Sequence, residues 1–207
     1  MNKDTSLARK RYNRNSRFYD YIELPIELFL FRHWRKNLFK HIKGPRVLEI
    51  GIGTGKNLKY YSNDYSPVAI DLSEGMLAQA KPIAKSKGVS LVQMDAQRLA
   101  FLDNTFDTVL GTFVFCSVPD AVKGLQEIKR VLKPDGQLLL VEHVLPKNAL
   151  LRFLFNLFDP IMVSLIGAHI ARRTSNNILK AGFESIRQEN LLCSIFYFFL
   201  AKPGENT

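Results

Sequence analysis

The chain is predicted to fold as a doubly wound α/β sheet of seven strands, mostly parallel, with helices on both faces and an N-terminal helical extension. Three observations carry this prediction. From Val47 onward, short runs rich in Val, Ile, Leu and Phe alternate with helix-like stretches. The first run ends in a turn of alternate glycines, "EIGIGTGKN", and the residues before it are basic and helical in pattern. Apolar runs without a polar face suit strands covered on both sides, and strand–helix alternation implies parallel pairing through right-handed crossovers.

The extension comes first in the chain. Residues 1–46 hold 12 Lys/Arg against 4 Asp/Glu, so +8 of the net charge of +10 lies there. On a helical wheel, "PIELFLFRHWRKNLFKHIK" (25–43) gathers Arg32, Arg35, Lys36, Lys40 and Lys43 within an arc of about 140°. Ile26, Leu30, Phe31, Trp34, Leu38 and Ile42 take the other side and are expected to pack on the sheet. Leu28, Phe29 and Phe39 fall in or beside the basic arc. Bulky apolar groups among cations suit a helix on an anionic membrane surface; a solvated charged face is the alternative.

Strands are expected at 46–50, 67–71, 89–95, 106–113, 136–144, 183–190 and 194–202. Helices are expected over 56–61, 73–87, 120–132 and, in pieces, 149–181. In "LKPDG", Pro134 and Gly136 are expected to stop one helix and launch the next strand. No linker, low-complexity tract or repeat divides the chain. It reads as a single domain over 1–207, with a lid or membrane-contact segment at 1–45 and a core at 46–207.

Composition excludes several classes. Cys116 and Cys193 lie far apart in apolar runs, without metal-ligand or redox spacing, and read as two buried reduced thiols with no metal site. The first twenty residues are polar and charged, unlike a signal peptide. The longest uncharged piece of the most apolar region, 160–171, falls short of the roughly 20 residues a span needs. A cytoplasmic protein, at most peripheral on the inner face of the membrane, is expected.

The glycine turn carries the chemistry. A dinucleotide fingerprint wants glycines at 51, 53 and 56, the last for close helix packing beside the pyrophosphate, but position 56 is Lys. Alternate glycines at 51, 53 and 55 suit a phosphate-free ligand whose amino acid part crosses the turn. Asp71 follows Gly51 by 20 residues and ends the strand "VAID", where a carboxylate can accept from both hydroxyls of a ribose. Strand ends at Ile50, Asp71 and Asp95 would line one nucleoside-shaped slot. Singly, each carboxylate also fits a helix cap, and Met76 or Thr112 a core position; the joint spacing is what argues for a ligand.

The segments "VLEIGIGTGKN", "VAIDLSEGMLAQAK", "MDAQRLAFLDNTFDTVLGTFVF" and "EIKRVLKPDGQLLLVEHV" resemble, in order, the motifs of class I S-adenosylmethionine-dependent methyltransferases, a Rossmann-like family. The resemblance covers most of 46–144 and departs from the family's usual "LKPGG" at Asp135. It implies S-adenosyl-L-methionine as cofactor. Gly51, Gly53 and Gly55 would let the backbone approach the methionine portion, with Glu49 and Asn57 holding the turn and the amino group. Asp71 would take the ribose hydroxyls, Leu72 and Met76 would flank the adenine, and Asp95 and Ala96 would meet its edge. Thr112 would lie beside the sulfonium.

Methyl transfer from a sulfonium needs mainly alignment and exclusion of water, so the acceptor leaves a weaker mark. The Asn/Asp–Pro–Pro–aromatic motif of base- and glutamine-methylating enzymes is absent from "GTFVFCSVPD". No aromatic-rich nucleic-acid module accompanies the basic N-terminus either, which argues against nucleic acid. "FVFCSVPD", "EHV" and the apolar 150–170 region are similar to soluble phosphatidylethanolamine N-methyltransferases and membrane-associated thiol methyltransferases. The N-terminal segment with "YD" at Tyr19–Asp20 is similar to that of quinone-biosynthesis C-methyltransferases. In these families the N-terminal helix and the region after strand five cover the slot. The expected acceptor is a small amphiphile, first the amine of phosphatidylethanolamine. Tyr12, Tyr19, Tyr21 and His143 are the acceptor-side candidates: Tyr12 and Tyr19 also toward the cofactor, His143 as a proton relay or a backbone-bonded strand-end residue, Tyr21 as packing. A non-catalytic protein that keeps the slot is the rival reading.

Overall fold

The computed structural model describes residues 3–204. One sheet of seven strands has the order β3-β2-β1-β4-β5-β7-β6. Its strands are β1 (Arg46–Ile50), β2 (Ser66–Asp71), β3 (Ser90–Gln93), β4 (Phe106–Thr112), β5 (Leu132–His143), β6 (Phe183–Leu192) and β7 (Phe196–Pro203). The first five pair in parallel, and β7 runs antiparallel between β5 and β6. The order reverses between β1 and β4, which opens a crevice at their carboxyl ends.

Alternating side chains of the central strands feed two cores, which is why these strands are apolar on both faces. Leu48, Ile50, Val109, Leu138 and Leu140 pack with α4 (Ala121–Val131) and α6 (Thr174–Lys180) on one side. Val47, Ala69, Leu110, Leu139 and Val141 meet Trp34 and Leu38 of α2 (Arg32–Phe39) and Ala80 and Ala84 of α3 (Glu74–Ser86) on the other.

Three expected elements differ. The helix over 56–61 is a single 3-10 turn at Leu58–Tyr60, because Asn57 and Leu58 turn inward and are fully buried. β5 begins at Leu132 instead of 136. Its pairing with β4 jumps from Phe106↔Leu132 to Thr108↔Gln137, so Pro134 and Gly136 fall in a bulge, where the missing proline N–H costs no ladder bond. Cys193 is exposed in the β6–β7 turn with φ +48, whereas Cys116 is buried as expected.

The extension is almost entirely helical: α1 (Lys3–Ile26), a five-residue π turn (Glu27–Phe31) and then α2. Pro25, just ahead of the turn, removes one helix N–H and disturbs the i→i−4 ladder. The extra residue in the π turn rotates all later side chains by about 100° relative to an ideal wheel. Arg35, expected in the basic arc, stands at the edge of that arc next to Leu38, Ile42 and Phe39, and it is buried together with Phe39, while Arg32, Lys36, Lys40 and Lys43 remain exposed. Ile26, expected to pack on the sheet, is exposed as well.

α5 (Ala149–Ile166) crosses from β5 towards α6. Among the described residues no helix is long and apolar enough to cross a membrane.

Candidate active site

A cavity of about 900 Å³ lies at the carboxyl ends of β1, β2, β3 and β4, with α1 as its cover. Its floor is the glycine turn. Gly51, Gly53 and Gly55 all have positive φ, which side-chain-bearing residues rarely adopt. Their surroundings differ. A Cβ on Gly51 would strike Val114 at 2.5 Å and one on Gly55 would strike Leu58 at 2.5 Å, but one on Gly53 would meet nothing within 4 Å. Gly53 is thus the point where the backbone is bare towards the cavity. Gly55 lines no part of it and serves close packing against Leu58 and Ala80, a correction to the expectation that all three glycines face the ligand.

Asp71 stands beside this turn. One oxygen accepts the Gly53 N–H at 2.9 Å and the other the Ser73 N–H at 2.8 Å. Burial pushes its carboxyl above the ordinary value, against these backbone donors, which favour the charged form. Each oxygen retains a second acceptor position. Leu72, the buried Met76, Met94, Asp95 and Ala96 continue the wall, and Asp95 is oriented by the Gln97 N–H at 2.9 Å. Thr112, Phe113, Val114 and Ser117 close the side beyond β4.

Glu49 and Asn57 are not on the wall. They lie behind it in a buried network, which corrects their expected contact with the amino group. Asn57 donates to Glu49 at 2.7 Å and Tyr61 donates to its other oxygen at 2.9 Å. Burial pushes the Glu49 carboxyl up to about 7, although both of these hydrogen bonds favour the charged form.

The same network holds Arg35, which does line the cavity. Its guanidinium donates to Glu27 at 3.0 Å, to Asn57 at 3.2 Å and to the Thr112 hydroxyl, and it lies 5.3 Å from the Phe113 ring centroid. On a 100° wheel Arg35 is the member of the basic arc that borders Leu38 and Ile42, which was the signal available for its burial. Phe113 was also missed: it has φ +59 and stacks on Phe31 at 4.1 Å, a strained backbone that no local propensity announces. Glu142, the third omission, is fully buried and accepts the Val114 and Phe115 N–H groups at 2.8 and 3.0 Å, pinning the turn that forms this wall. Burial raises it to about 7. An acid inside the apolar strand "LLLVEHV" was the signal available for it.

α1 is stitched to each loop around the opening. Thr5 accepts from Gln97, Asn13 accepts from the Ser73 hydroxyl at 2.6 Å and the Gly75 N–H at 3.0 Å, and Asp20 accepts from Thr54 at 2.7 Å and lies 3.4 Å from Lys56. Tyr12 hydrogen-bonds Ser117. Tyr12 and Tyr19 both line the cavity, their ring centroids 6.4 Å apart at 52°. Tyr21 is 77% exposed and neither packs nor reaches the cavity, because it falls on the outer side of α1. His143 is not on the wall either. Its Nε2 bonds the His169 carbonyl at 2.9 Å and burial lowers its pKa, so the backbone-bonded alternative describes it. No described residue of α5 lines the cavity, against the expectation of a second lid.

Residues 48–140 match a family model described as a methyltransferase domain. A demethylmenaquinone methyltransferase of Staphylococcus aureus is 32% identical over 165 residues, covering 76% of this chain and 68% of that protein. The chain belongs to the S-adenosylmethionine-dependent methyltransferases. S-adenosylmethionine is the cofactor of this methyltransferase family, and a nucleoside with an amino acid tail fits a bare glycine backbone beside a buried carboxylate. A phosphatidylethanolamine N-methyltransferase of Cereibacter sphaeroides is 38% identical over 115 residues, covering 53% of the methyltransferase chain and 57% of that relative's length. A solved phospholethanolamine N-methyltransferase of Haemonchus contortus, in complex with phosphomonomethylethanolamine and S-adenosylhomocysteine, shares the fold with a TM-score of 0.72 at 19% identity, covering 96% of this chain and 61% of that one.

Proposed function

We propose that the protein transfers the sulfonium methyl group of S-adenosylmethionine to the amine of a small amphiphile, with the ethanolamine headgroup of phosphatidylethanolamine as the best candidate. In this reading the methionine part crosses Gly53 and Gly51, Asp71 takes the ribose hydroxyls, Leu72 and Met76 flank the adenine and Asp95 and Ala96 meet its edge. Thr112 and Arg35 face the amino acid end, where the guanidinium would pair with its carboxylate.

The observation that carries the choice of an amine is the tyrosine pair. Tyr12 and Tyr19 present two tilted aromatic rings above the floor, and the Lys56 ammonium already rests 5.4 Å from the Tyr19 centroid. Aromatic faces favour the cation that forms as a neutral amine gains a methyl group, by about 0.5–2 kcal/mol per ring. The similarity to the Cereibacter phosphatidylethanolamine enzyme supports the same class. A quinone-precursor carbon is the second reading, favoured by the longer match to the Staphylococcus relative.

Incubation with S-adenosylmethionine and each of phosphatidylethanolamine, a demethylated quinone and a small thiol separates these readings. S-adenosylhomocysteine should accumulate with the lipid amine. Accumulation only with the quinone or the thiol transfers the assignment to that acceptor, and none with any acceptor sinks catalysis in favour of a binding protein. Asp71→Ala should weaken cofactor binding at least about 100-fold, measured by calorimetry, since two hydroxyl contacts and the turn are lost together.

A further inference from the structure

α5 is built against the usual rule for a surface helix. Its 18 residues, "ALLRFLFNLFDPIMVSLI", are mostly large and apolar, yet no described side chain of the helix is buried. Leu150, Phe153, Leu154, Leu157, Phe158 and Ile161 are all exposed, Leu150 by 68% and Phe153 by 63%. Their spacing of three and four residues places them in one continuous stripe. A stripe of this kind normally faces a core, and six large groups in a row facing water mark a contact surface.

The chemistry beside the stripe says what contacts it. At the amino end of α5 the surface opens into a cleft of about 750 Å³ lined by Lys147, Arg152, Arg172 and Arg173, with no acidic side chain among its described lining residues. Arg172 donates to the Val118 carbonyl at 2.8 Å, while its Nε is buried without a hydrogen-bond partner. Val118 also lines the cofactor cavity, so the cleft and the cavity share a wall. Four cations in a cleft lined by no described acidic side chain, next to an uncovered apolar helix, complement acyl chains below a layer of phosphates.

We propose that α5 lies in the interface of an anionic phospholipid bilayer, its stripe among the acyl chains and the Lys147–Arg152–Arg172–Arg173 cleft against lipid phosphates. This locates the membrane contact after β5, away from the helix over 25–43, where the sequence suggested it. It does not depend on which acceptor the cavity takes.

The test is co-sedimentation of the full chain with vesicles of phosphatidylethanolamine and phosphatidylglycerol, against vesicles of phosphatidylcholine alone. The parent should partition to the anionic vesicles and lose binding as salt rises. Phe153→Asp with Leu157→Asp should lower partitioning more than about tenfold, two acyl-inserted groups being replaced by charges. Arg152→Glu with Arg173→Glu should lower binding to the anionic vesicles by a similar factor and leave the phosphatidylcholine level unchanged. Both pairs are on the surface, and calorimetry with S-adenosylhomocysteine checks that the fold and the cofactor cavity are intact. A parent that ignores anionic vesicles, or stripe variants that bind as the parent does, overturns the proposal. So does a parent that sediments as a dimer which the stripe variants dissociate, because a second copy would then cover α5.

Discussion

The helical stretch over 3–39 and α5 both carry large apolar side chains, the first among many Arg and Lys and the second with Arg152 as its single cation, and the fold uses them in opposite ways. The first is held by polar groups turned inward. Thr5, Asn13 and Asp20 bond three different loops of the cavity, and the Arg35 guanidinium is buried on Glu27, Asn57 and Thr112. Among its described residues, α5 is fixed by the Asn148 cap, by Asp159 on His169 and Ala171, and by Gly167 at its carboxyl end, which lies against Arg11 and Tyr12 of α1. Between these points its exposed stripe faces away from the protein, with Phe155, Met162 and Val163 partly buried. Directional bonds make the first stretch a working part of the site, while undirected apolar surface leaves α5 free to meet a second phase.

The sharpest way to break this contrast is Arg35→Met. Glu27 would be left buried with Lys59 at 3.9 Å as its remaining ion-pair partner, and the loss should be about 3 kcal/mol in urea unfolding. Arg35→Met with Glu27→Leu should recover most of it. A loss below 1 kcal/mol for the single variant would mean that the network contributes little.

The pH dependence of the same network should be the next largest effect. Glu49 has a folded pKa of about 7 against an ordinary 4.5, so between these values the folded state binds more protons than the unfolded one. Unfolding free energy therefore falls as pH rises through that window, by a few kcal/mol in order of magnitude. Glu142 shifts the same way and adds a parallel fall. Glu49→Gln should flatten the decline of Tm between pH 5 and 7 without abolishing it. A parent whose Tm does not decline there would contradict the buried placement.

Asn13→Ala removes one stitch of α1 and leaves the Ser73 hydroxyl and Gly75 N–H without their acceptor. Stability should drop by about 1–2 kcal/mol, and S-adenosylhomocysteine should dissociate several-fold faster in stopped flow. On the α5 side, Asp159→Asn should cost no more than about 1 kcal/mol. Burial alone would raise the Asp159 carboxyl, but His169 and the Ala171 N–H hold it below the ordinary value. The contact is therefore present at neutral pH and lost as pH falls through that lowered value. Cofactor affinity should not change in this variant; a tenfold change would tie α5 to the cavity and erase the contrast.

Much of this was visible along the chain. The strands appear at β1 to β7 within a few residues of their expected ends, because a strand covered on both faces has no polar alternation to blur it. Gly53, Asp71, Leu72, Met76, Asp95, Ala96, Thr112, Tyr12 and Tyr19 come together around one cavity, since each sits at or just after the end of a strand, or on the helix above. The misplacements share a cause. Glu49 and Asn57 are adjacent to the cavity in sequence, but the side chain of one points behind the turn and the other follows it. His143 ends a strand outside the opening. Arg35 lies at the border of its basic arc and falls on the buried side.

Residue order alone therefore determined which strands form, that glycines without a late partner at position 56 favour a nucleoside over a dinucleotide, and that a carboxylate ends β2. These depend on periodicity and on local backbone freedom, both short-range properties. Only the tertiary structure decided that Arg35 is inside, that Glu142 pins the β4 turn, that one face of α5 is bare and that Arg152 shares a cleft with cations twenty positions further on. Those facts depend on long-range packing, which decides whether a side chain at the border of two helix faces is covered and brings together cations that are distant in the chain.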